Sequence, residues 1–369
     1  MKIGIIGFCN LNIMQYLYKY TNVLDSNNVD YDVIYWNRLG VDEKKDFLGG
    51  VLPYNYKIDT YQPFYKKIRF FVKYVLFLRR CIKINGYDRL IVLTTQSAVP
   101  IYDILRRKYR EKYIFDFRDL TKENSSQVYK KVVQRIIDDS FCTMMSSIGF
   151  VKKINPHRME KIQIVHNTQL AQKSMVTTKI EKNTAKIRIG FWGIIRQIEH
   201  NKKFCDRFGA DPRFELFFHG TGEYEKLQEY CKMKKYNNVF FTGTYNQTEI
   251  PKFANQTDVL HCIYENDIEQ QPAMPVKAYD AIKYRLPVLI SKNSQVANFF
   301  KGTSGALAVN LGDNRIADKV YNWFHNLKTT QVENDFKRLE NKVLMDDLLF
   351  NEKVEMFIGA ENNENSDLY

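Results

Sequence analysis

The stretch "PAMPVKAYDAIKYRLPVLIS", residues 272–291, combines a proline-bounded turn, a short helical pattern and an apolar strand. The helix, predicted at about 275–284, carries Lys277 and Asp280 three residues apart, and therefore on one face near its positively polarised N-terminus. Backbone N–H groups and a cation at such a position can hold a phosphate group. Considered alone, the stretch is better explained as an ordinary helix–strand unit with a solvated Lys–Asp pair.

Strand patterns alternate with helical patterns along the chain, which predicts parallel sheets flanked by helices. The first half contains "KIGIIGF", "YDVIYWN", "RLIVLTT", "KYIFDFR" and "KIQIVHN", and the second contains "IRIGFWG", "FELFFHG", "NVFFTG", "DVLHCIY" and "LPVLIS". Residues 171–185 are polar and lack a clear apolar period, as expected of a linker. The sequence predicts an α/β protein with two doubly wound, Rossmann-like domains, 1–170 and 186–358, that face an interdomain cleft, and a polar tail at 359–369.

Composition restricts the class of protein. The chain has 369 residues, of which 44% are hydrophobic and 26% charged, enough for two globular cores. The six cysteines include no CxxC pair, so neither a disulfide framework nor a metal site is indicated. No apolar run reaches the roughly 18 residues of a membrane span, and "MKIGIIGFCN" reads as a buried strand rather than a signal peptide. We therefore expect a cytoplasmic protein.

The positive charge is concentrated in the first half. The net charge is +13, and residues 1–170 hold 28 Lys and Arg against 16 Asp and Glu. Such an asymmetry indicates that one domain meets an anionic partner and the other does not.

The segment "YQPFYKKIRFFVKYVLFLRRCIKI", residues 61–84, contains seven basic residues and no acidic one. Helical periodicity predicts a buried stripe of Phe64, Ile68, Phe71, Val75, Leu78 and Ile82. A mixed group of cations and aromatic residues is expected to dock on an anionic membrane: Lys66, Arg69, Phe70, Lys73, Phe77 and Arg80. The alternative is a basic surface helix whose aromatic residues belong to the core. Nucleic-acid binding is less favoured, because no nucleic-acid-binding module is evident.

Glycine turns follow strands of the second half in "IRIGFWGIIRQIEHNKK", "FFHGTGEYEKL" and "VFFTGTYNQTEIPKFANQTDV". Such turns let backbone amides approach a phosphate, and nearby cations neutralise it. Together with "PVKAYDAIKYRLPVLIS", their order and spacing resemble the donor-binding domain of GT-B glycosyltransferases, especially the glycosyltransferase family 4-like enzymes of bacterial capsule and O-antigen assembly. The resemblance covers essentially the whole chain.

The resemblance implies that a nucleotide-diphosphate sugar binds to the second domain. The implied donor-binding residues are Arg196, Lys202, Gly220, Gly222, Thr244, Tyr245, Lys277 and Asp280. Lys277 would meet the diphosphate and Asp280 a ribose hydroxyl, whereas the two glycines would leave room for the donor. Thr244 and Tyr245 would border the nucleobase.

Two positions depart from the pattern of that family. The spacing after the first strand of the second half is one residue longer, so Lys203 is an alternative to Lys202. Position 272 is proline where many members carry a glutamate, which leaves a retaining and an inverting reaction both open.

In the first half, "FDFRDLTKEN" places Arg118 and Asp119 just past a strand end. Related transferases carry acceptor-site or catalytic groups there, so Asp119 is a candidate general base and Arg118, with Cys9 and Asn10, belongs to the acceptor side. A salt bridge or a helix cap is the structural alternative for Asp119. The "GFCNLN" turn lacks the third glycine of a GxGxxG fingerprint, which argues against a dinucleotide dehydrogenase.

We therefore expect a metal-independent glycosyltransferase that needs no cofactor. It would transfer a sugar from a nucleotide-diphosphate sugar to a hydroxyl of a polyprenyl-diphosphate-linked saccharide, in the biosynthesis of a surface polysaccharide such as capsule or O-antigen. The resemblance implies a peripheral protein at the inner face of the cell membrane, in contact with anionic lipid and not with nucleic acid. The alternatives are a sugar-nucleotide epimerase of the same fold and a basic protein that binds membranes or nucleic acids.

Overall fold

The chain forms two compact units, each built on its own parallel sheet. The computed structural model describes residues 1–58, 64–121, 123, 125–168, 186–265, 267 and 270–360, with the backbone alone for 64–66. The first unit contains Met1–His166 and the chain from Asp346 onward, and the second contains Asn167–Met345. The predicted linker, 171–185, and residues 361–369 of the predicted tail lie outside the described residues.

The first unit is built on a sheet of seven strands. They are β1 (Lys2–Ile6), β2 (Asp30–Asn37), β3 (Gly50–Asn55), β4 (Arg89–Leu93), β5 (Tyr113–Phe117), β6 (Cys142–Met145) and β7 (Ile162–Ile164). Neighbouring strands are parallel and follow the spatial order β3-β2-β1-β4-β5-β6-β7. Parallel strands need crossover connections that cover both faces of the sheet, and β5 is accordingly buried along its whole length.

Helices connect these strands. They are α1 (Leu17–Ser26), α2 (Phe64–Asn85), α3 (Thr95–Ala98), α4 (Tyr102–Lys108), α5 (Gln127–Asp139) and α6 (Ile148–Ile154). Side-chain caps fix where two of them begin: Ser126 accepts a hydrogen bond from the N–H of Tyr129 at the start of α5, and Ser147 does the same for Gly149 at α6.

Helix α2 packs on the sheet through a face that matches the predicted stripe only in part: Leu78 and Ile82 are buried as predicted. Phe70 and Tyr74 are buried, and the ring of Tyr74 stacks on Trp36 with centroids 5.2 Å apart. Phe77 is half-buried, with its ring centroid 5.4 Å from an aromatic ring of β3. Ile68, predicted in the core, is 47% exposed. The prediction that Phe70 and Phe77 face a membrane is therefore wrong, because Phe70 packs on the ring of Tyr56 just past β3 and Phe77 packs on the ring from β3.

The exposed face of α2 carries the basic residues. Arg69, Lys73 and Arg80 are exposed, and the side chain of Lys66 lies outside the described residues. Within the described chain, no helix is both long enough and apolar enough to cross a membrane.

The second unit is built on a six-stranded parallel sheet. Its strands are β8 (Ile187–Trp192), β9 (Phe214–His219), β10 (Val239–Gly243), β11 (Val259–Cys262), β12 (Val288–Ser291) and β13 (Ala306–Val309). Its helices are α7 (Ile198–Phe208), α8 (Tyr224–Met233), α9 (Ile250–Asn255), α10 (Val276–Lys283), α11 (Gln295–Phe299), α12 (Ile316–Asn326) and α13 (Thr329–Ile358). The strand order is β10-β9-β8-β11-β12-β13, so the connections that leave β8 and β11 run to opposite sides of the sheet.

The last helix, α13, contributes side chains to both cores. Phe336 is buried in the second core, whereas Phe350, Val354 and Phe357 are buried in the first. The second unit consequently ends at Met345. It is shorter than the predicted C-terminal domain, which extended to residue 358, because the apolar face of the helix beyond that point is buried against α1 and the first sheet.

Candidate functional site

A cavity of about 450 Å³ lies at the carboxyl ends of β8 and β11 in the second unit. These two strands are neighbours whose connections run to opposite sides, and open α/β sheets bind ligands at such a switch point. The turn after β8, the start of α7, the connection after β10, the end of β11 and the start of α10 line it. Among its side chains are Arg196, Tyr245, Lys277 and Asp280, four of the predicted donor-binding residues.

Helix α10 holds Lys277 at the cavity in an almost completely buried position. Its Nζ lies 4.1 Å from the ring centroid of Phe191 and 5.2 Å from that of Tyr264, which provides cation–π attraction in place of water. Burial lowers the pKa of Lys277 to about 8, although Cys262 and Asp280 oppose the shift. Lys277 is therefore a poorly hydrated cation at neutral pH, and an anionic ligand would stabilise its charge.

Asp280, one helical turn further along α10, is held by Trp192 from the end of β8. The indole Nε1–H donates to Oδ2 of Asp280 over 2.8 Å. Burial raises the pKa of Asp280, while the hydrogen bond from Trp192 and the charge of Lys277 lower it. No hydrogen bond to Oδ1 of this carboxylate is seen within the described part of the chain, so that oxygen can accept one from a ligand hydroxyl.

The turn after β8 brings backbone and a second cation to the cavity. Gly193 has a φ of 129°, and a side chain at this position would begin 3.3 Å from Nζ of Lys277. Glycine thus allows both the backbone conformation and the close approach of the lysine. Arg196 follows on the same turn and is exposed, and no ion pair involves it among the residues that the structure describes.

Several solved structures are similar to the chain over nearly its whole length. Sucrose-phosphate synthase from Thermosynechococcus elongatus has a TM-score of 0.70 at 12% sequence identity, and the match covers 98% of this chain and 100% of that one. HepE from Anabaena, in complex with UDP, has a TM-score of 0.67 at 14% identity, with 96% and 100% covered. The lipopolysaccharide outer core galactosyltransferase WaaB has a TM-score of 0.63 at 15% identity, with 95% and 99% covered. These matches decide the fold.

The chain has the GT-B fold. The predicted α/β class, with two doubly wound parallel sheets, is thereby confirmed. No protein-family model matches the sequence, and no curated protein matches it. The narrower resemblance, to family 4-like enzymes of capsule and O-antigen assembly, stays a prediction.

In this GT-B chain, Gly220 and Gly222 lie outside the cavity and serve the turn that lines it. Gly220 has a φ of 147°, and a Cβ there would lie 1.8 Å from the carbonyl oxygen of Gly193. Gly222 has a φ of 91°, and its Cβ would lie 2.4 Å from the carbonyl oxygen of Ile195. The two glycines let the backbone after β9 pack directly on the turn after β8. They thereby position that turn, which carries Arg196, and their predicted contact with a donor stays a prediction.

Lys202, the second cation predicted for this cavity, is not among its described lining residues, because its position on α7 directs the side chain elsewhere. Lys202 pairs with Glu199, 2.8 Å from its carboxylate, and its Nζ lies 5.2 Å from the ring centroid of Tyr230. Asn201 lines the cavity instead, and its amide donates to the carbonyl oxygen of Arg196 over 2.6 Å. Lys203, the alternative, lines a different cavity.

The predicted nucleobase neighbours are divided, and two further residues complete the site. Tyr245 lines the cavity, whereas Thr244 is exposed outside it. Gln197, at the start of α7, accepts a hydrogen bond from the N–H of Glu265 over 3.0 Å and donates one to Asp267 over 3.2 Å. It therefore ties α7 to the connection that follows β11. Both Gln197 and Trp192 lie in "IRIGFWGIIRQIEHNKK", but the sequence did not single them out, because their hydrogen-bond partners are 68 to 88 positions away along the chain.

Of the residues predicted for the acceptor side and for catalysis in the first unit, Arg118 is buried and Asp119 is exposed. Arg118 is buried, and its guanidinium binds the carboxylate of Asp116, with Nη2 2.7 Å from Oδ2. The hydroxyl of Tyr20 donates to the same carboxylate, which has no exposed surface. Asp119, the next residue after Arg118, is exposed just past the end of β5. Arg118 thus serves the core, and Asp119 is the accessible carboxylate of the pair.

The side chain of Asn10 is bound to the end of β2 and to the connection that follows it. Its side-chain oxygen accepts from the N–H groups of Arg38 and Leu39, and its amide donates to Asn37 and Glu43. These four hydrogen bonds satisfy the buried side chain, so a direct acceptor contact is not available to it. The neighbouring Cys9 is half-buried, and burial raises the pKa of its thiol to about 11, so it is a neutral thiol at physiological pH.

Proposed function

We propose that the protein is a glycosyltransferase whose nucleotide-diphosphate sugar donor binds in the cavity of the second unit. The observation that carries the proposal is the buried Lys277, held beside the Gly193 turn at the switch point of the sheet. A desolvated cation with a lowered pKa is costly unless an anion offsets it. A diphosphate is an anion of the appropriate size for this position.

The reaction would rest on charge placed around the leaving group. Lys277, the exposed Arg196 and the N-terminal N–H groups of α10 would stabilise the nucleotide diphosphate as negative charge develops on it. Asp280, oriented by Trp192, would accept a hydrogen bond from a ribose hydroxyl. Asp119 is our candidate general base for the acceptor hydroxyl, supported by its exposure after β5.

For the donor nucleotide we propose UDP. The similar structures of HepE contain UDP, UDP with glucose, or UDP-glucose. At about one hundred times its Kd, a ligand raises the free energy of unfolding by about 2.7 kcal/mol. We therefore expect UDP, tested beside GDP, CDP and ADP, to raise the melting temperature measurably and more than the other three do.

Turnover assays would separate the enzyme classes. A transferase releases UDP from a UDP-sugar, slowly to water and faster when a lipid-linked saccharide is supplied, whereas an epimerase converts the sugar and releases none. Melting curves unaffected by every nucleotide, together with an absence of UDP release, would exclude the proposed function.

For the acceptor we propose a lipid-linked saccharide, as in surface polysaccharide biosynthesis, met at the inner face of the cell membrane. Helix α2 supports the membrane contact through its exposed aliphatic residues, Ile68, Val72 and Leu76, which recur every four residues and thus form one stripe. Exposed cations lie beside the stripe: Arg69, Lys73, Arg80 and Lys83. Aliphatic side chains beside cations, on a helix without acidic residues, are typical of docking on anionic lipid.

We expect the triple variant Arg69→Gln/Lys73→Gln/Arg80→Gln to lose most of its binding to anionic vesicles at low salt. Each cation near an anionic surface contributes about 1 kcal/mol to such binding. A sedimentation assay with phosphatidylglycerol vesicles measures it. Three exposed lysines of the second unit, changed in Lys232→Gln/Lys234→Gln/Lys252→Gln, provide the control of equal charge. If both triple variants lost vesicle binding equally, the binding would depend on net charge alone, and the membrane proposal would be wrong.

A further inference from the structure

The first unit has a charged cavity of its own. It lies at the amino ends of the strands, whereas Asp119 follows the carboxyl end of β5. It has a volume of about 310 Å³ and lies between α4, the end of α5 and the turn before β7. Arg110, Asp139 and Arg158, which line it, come shortly before β5, β6 and β7. Because these strands are parallel neighbours, their amino ends share one edge of the sheet. The cavity is therefore separate from the proposed donor site, which belongs to the other unit.

Four arginines line this cavity: Arg106, Arg110, Arg135 and Arg158. Its two carboxylates already have partners. Asp139 pairs with Arg110 over 3.1 Å and accepts a hydrogen bond from the Tyr102 hydroxyl over 3.2 Å. Asp138 lies 2.7 Å from Nδ1 of His157.

The cavity has more arginines than carboxylates in its lining, so its positive charge is only partly neutralised. Arg158 lies 3.5 Å from Glu111, a carboxylate that is also 2.6 Å from Nζ of Lys161. Within the described ranges, no ion pair involves Arg106 or Arg135. Both are exposed, on helices α4 and α5, and both line the same cavity. An anion placed between them would have two guanidinium groups that are not committed to another carboxylate.

We infer that this cavity binds a small phosphorylated anion that carries at least two negative charges. A guanidinium group presents its N–H donors as a planar fork, which matches phosphate oxygens two at a time. The Tyr102 hydroxyl already donates its hydrogen to Asp139, so the two guanidinium forks are the donors that remain for a phosphate group in this cavity. The volume is near the lower end of the range for ligand cavities, which fits a small anion rather than a polymer.

Binding at this position would connect three separate parts of the first unit. Arg106 belongs to α4, Arg135 to α5, and Arg158 to the turn before β7. An anion bound by all three would hold these elements together in the native state only. It would therefore raise the melting temperature of the protein as its concentration increases.

The test uses inorganic pyrophosphate as the probe and calorimetric titration as the readout. Because the proposed donor cavity could also accept pyrophosphate, each protein carries Arg196→Ala and Lys277→Ala in the second unit. In this background we expect one binding site, and we expect Arg106→Gln/Arg135→Gln to weaken it about tenfold or more. Arg107→Gln/Lys108→Gln is the matched control, because it removes two exposed charges from α4 outside the cavity and should leave the affinity unchanged.

A further variant, Arg106→Lys/Arg135→Lys, keeps both charges and removes the forks, so an intermediate affinity is expected. It also provides the comparison if the glutamine variant does not fold. No binding of pyrophosphate at millimolar concentration, an equal loss in the Arg107/Lys108 control, or tighter binding of malonate than of pyrophosphate would each overturn the assignment. The outcome is independent of the proposed function, since UDP binding by the protein without these substitutions is measured separately.

Discussion

Replacing Lys277 with methionine is expected to weaken UDP binding by roughly 10- to 100-fold. A hydrogen bond to a charged group contributes about 1.5–3 kcal/mol, which corresponds to that range. Methionine fills a similar volume between the rings of Phe191 and Tyr264, so the fold should be retained and the desolvated charge alone removed. Calorimetric titration with UDP measures the change.

Lys283→Met is the control for this substitution, because Lys283 lies on the same helix outside the cavity. Its affinity for UDP should equal that of the unmodified protein. If Lys277→Met bound UDP equally well while remaining folded, the diphosphate could not lie against Lys277.

The lowered pKa of Lys277 gives the same interaction a characteristic pH dependence. With a pKa of about 8, the free protein loses this charge as the pH rises from 7 to 9, and UDP affinity should fall over that interval. The terminal phosphate of UDP has its second pKa near 6, by analogy with other phosphate monoesters, so its charge is nearly constant there. The fall should disappear in Lys277→Met.

The effect of the same group on folding has the opposite sign. The unfolded chain binds the proton of Lys277 up to its usual pKa of 10.5, whereas the folded chain releases it near 8. Unliganded protein should therefore gain stability from this residue as the pH rises between those two values. UDP binding would reduce that gain, because a bound anion favours the protonated lysine.

Replacing Arg118 with methionine is expected to destabilise the protein by about 3–5 kcal/mol, the typical cost of leaving a buried charge without its partner. The carboxylate of Asp116 is fully buried. Without Arg118 it would keep only the hydrogen bond from the hydroxyl of Tyr20 among these side-chain contacts. Urea denaturation measures the loss. The double variant Asp116→Asn/Arg118→Met should recover part of it, because no uncompensated charge then remains.

Asp119→Asn provides the contrast to Arg118→Met. Asp119 is exposed, so its substitution should change the stability by less than about 0.5 kcal/mol, as is usual for surface positions. If Asp119 is the general base, the same variant should lower sugar transfer while UDP binding is retained. A stable Arg118→Met protein with weakened acceptor binding would instead restore Arg118 to the acceptor side.

The alternation of strands and helices could be predicted because parallel sheets leave a strong apolar signal. The stretch around α10 and β12 is where the structure follows the prediction most closely, since prolines mark both ends of the helix. Strand β3 gave no such signal: it contains Gly50 and Pro53, and none of its residues is fully buried. Strand β6 is only four residues long, too short for a period to be recognised.

The packed face of α2 could be derived only in part from periodicity. Leu78 and Ile82 are buried as the period predicts, but nearer the start of the helix apolar residues lie on two sides, and a stripe containing Phe70 satisfies the period as well as one containing Ile68. The choice between them depends on what the sheet offers, and β2 and β3 present aromatic rings that receive Tyr74 and Phe77. Tertiary contacts of this kind are not encoded in the local pattern.

The candidate site was predictable where a residue acts through its place at a strand end. Lys277, Asp280, Arg196 and Tyr245 all follow strands, and the parallel sheet brings them to one edge. The role of Trp192 depends on a hydrogen bond to a residue 88 positions away, which no short motif contains. The side on which Lys202 lies depends on the residue at which α7 begins, and a shift of one position turns a side chain by about 100° around the helix.

Helix α13 also has a consequence for the order in which the chain can fold during its synthesis. The first core includes Phe350, Val354 and Phe357, and the ring of Phe350 lies 5.0 Å from that of Tyr20. The ribosome makes the whole second unit, Asn167–Met345, before it reaches these residues. At about 5–20 residues per second, the first sheet waits roughly ten to forty seconds with an apolar groove beside α1 still uncovered. The nascent chain therefore has a period in which a chaperone can bind where α13 will later lie.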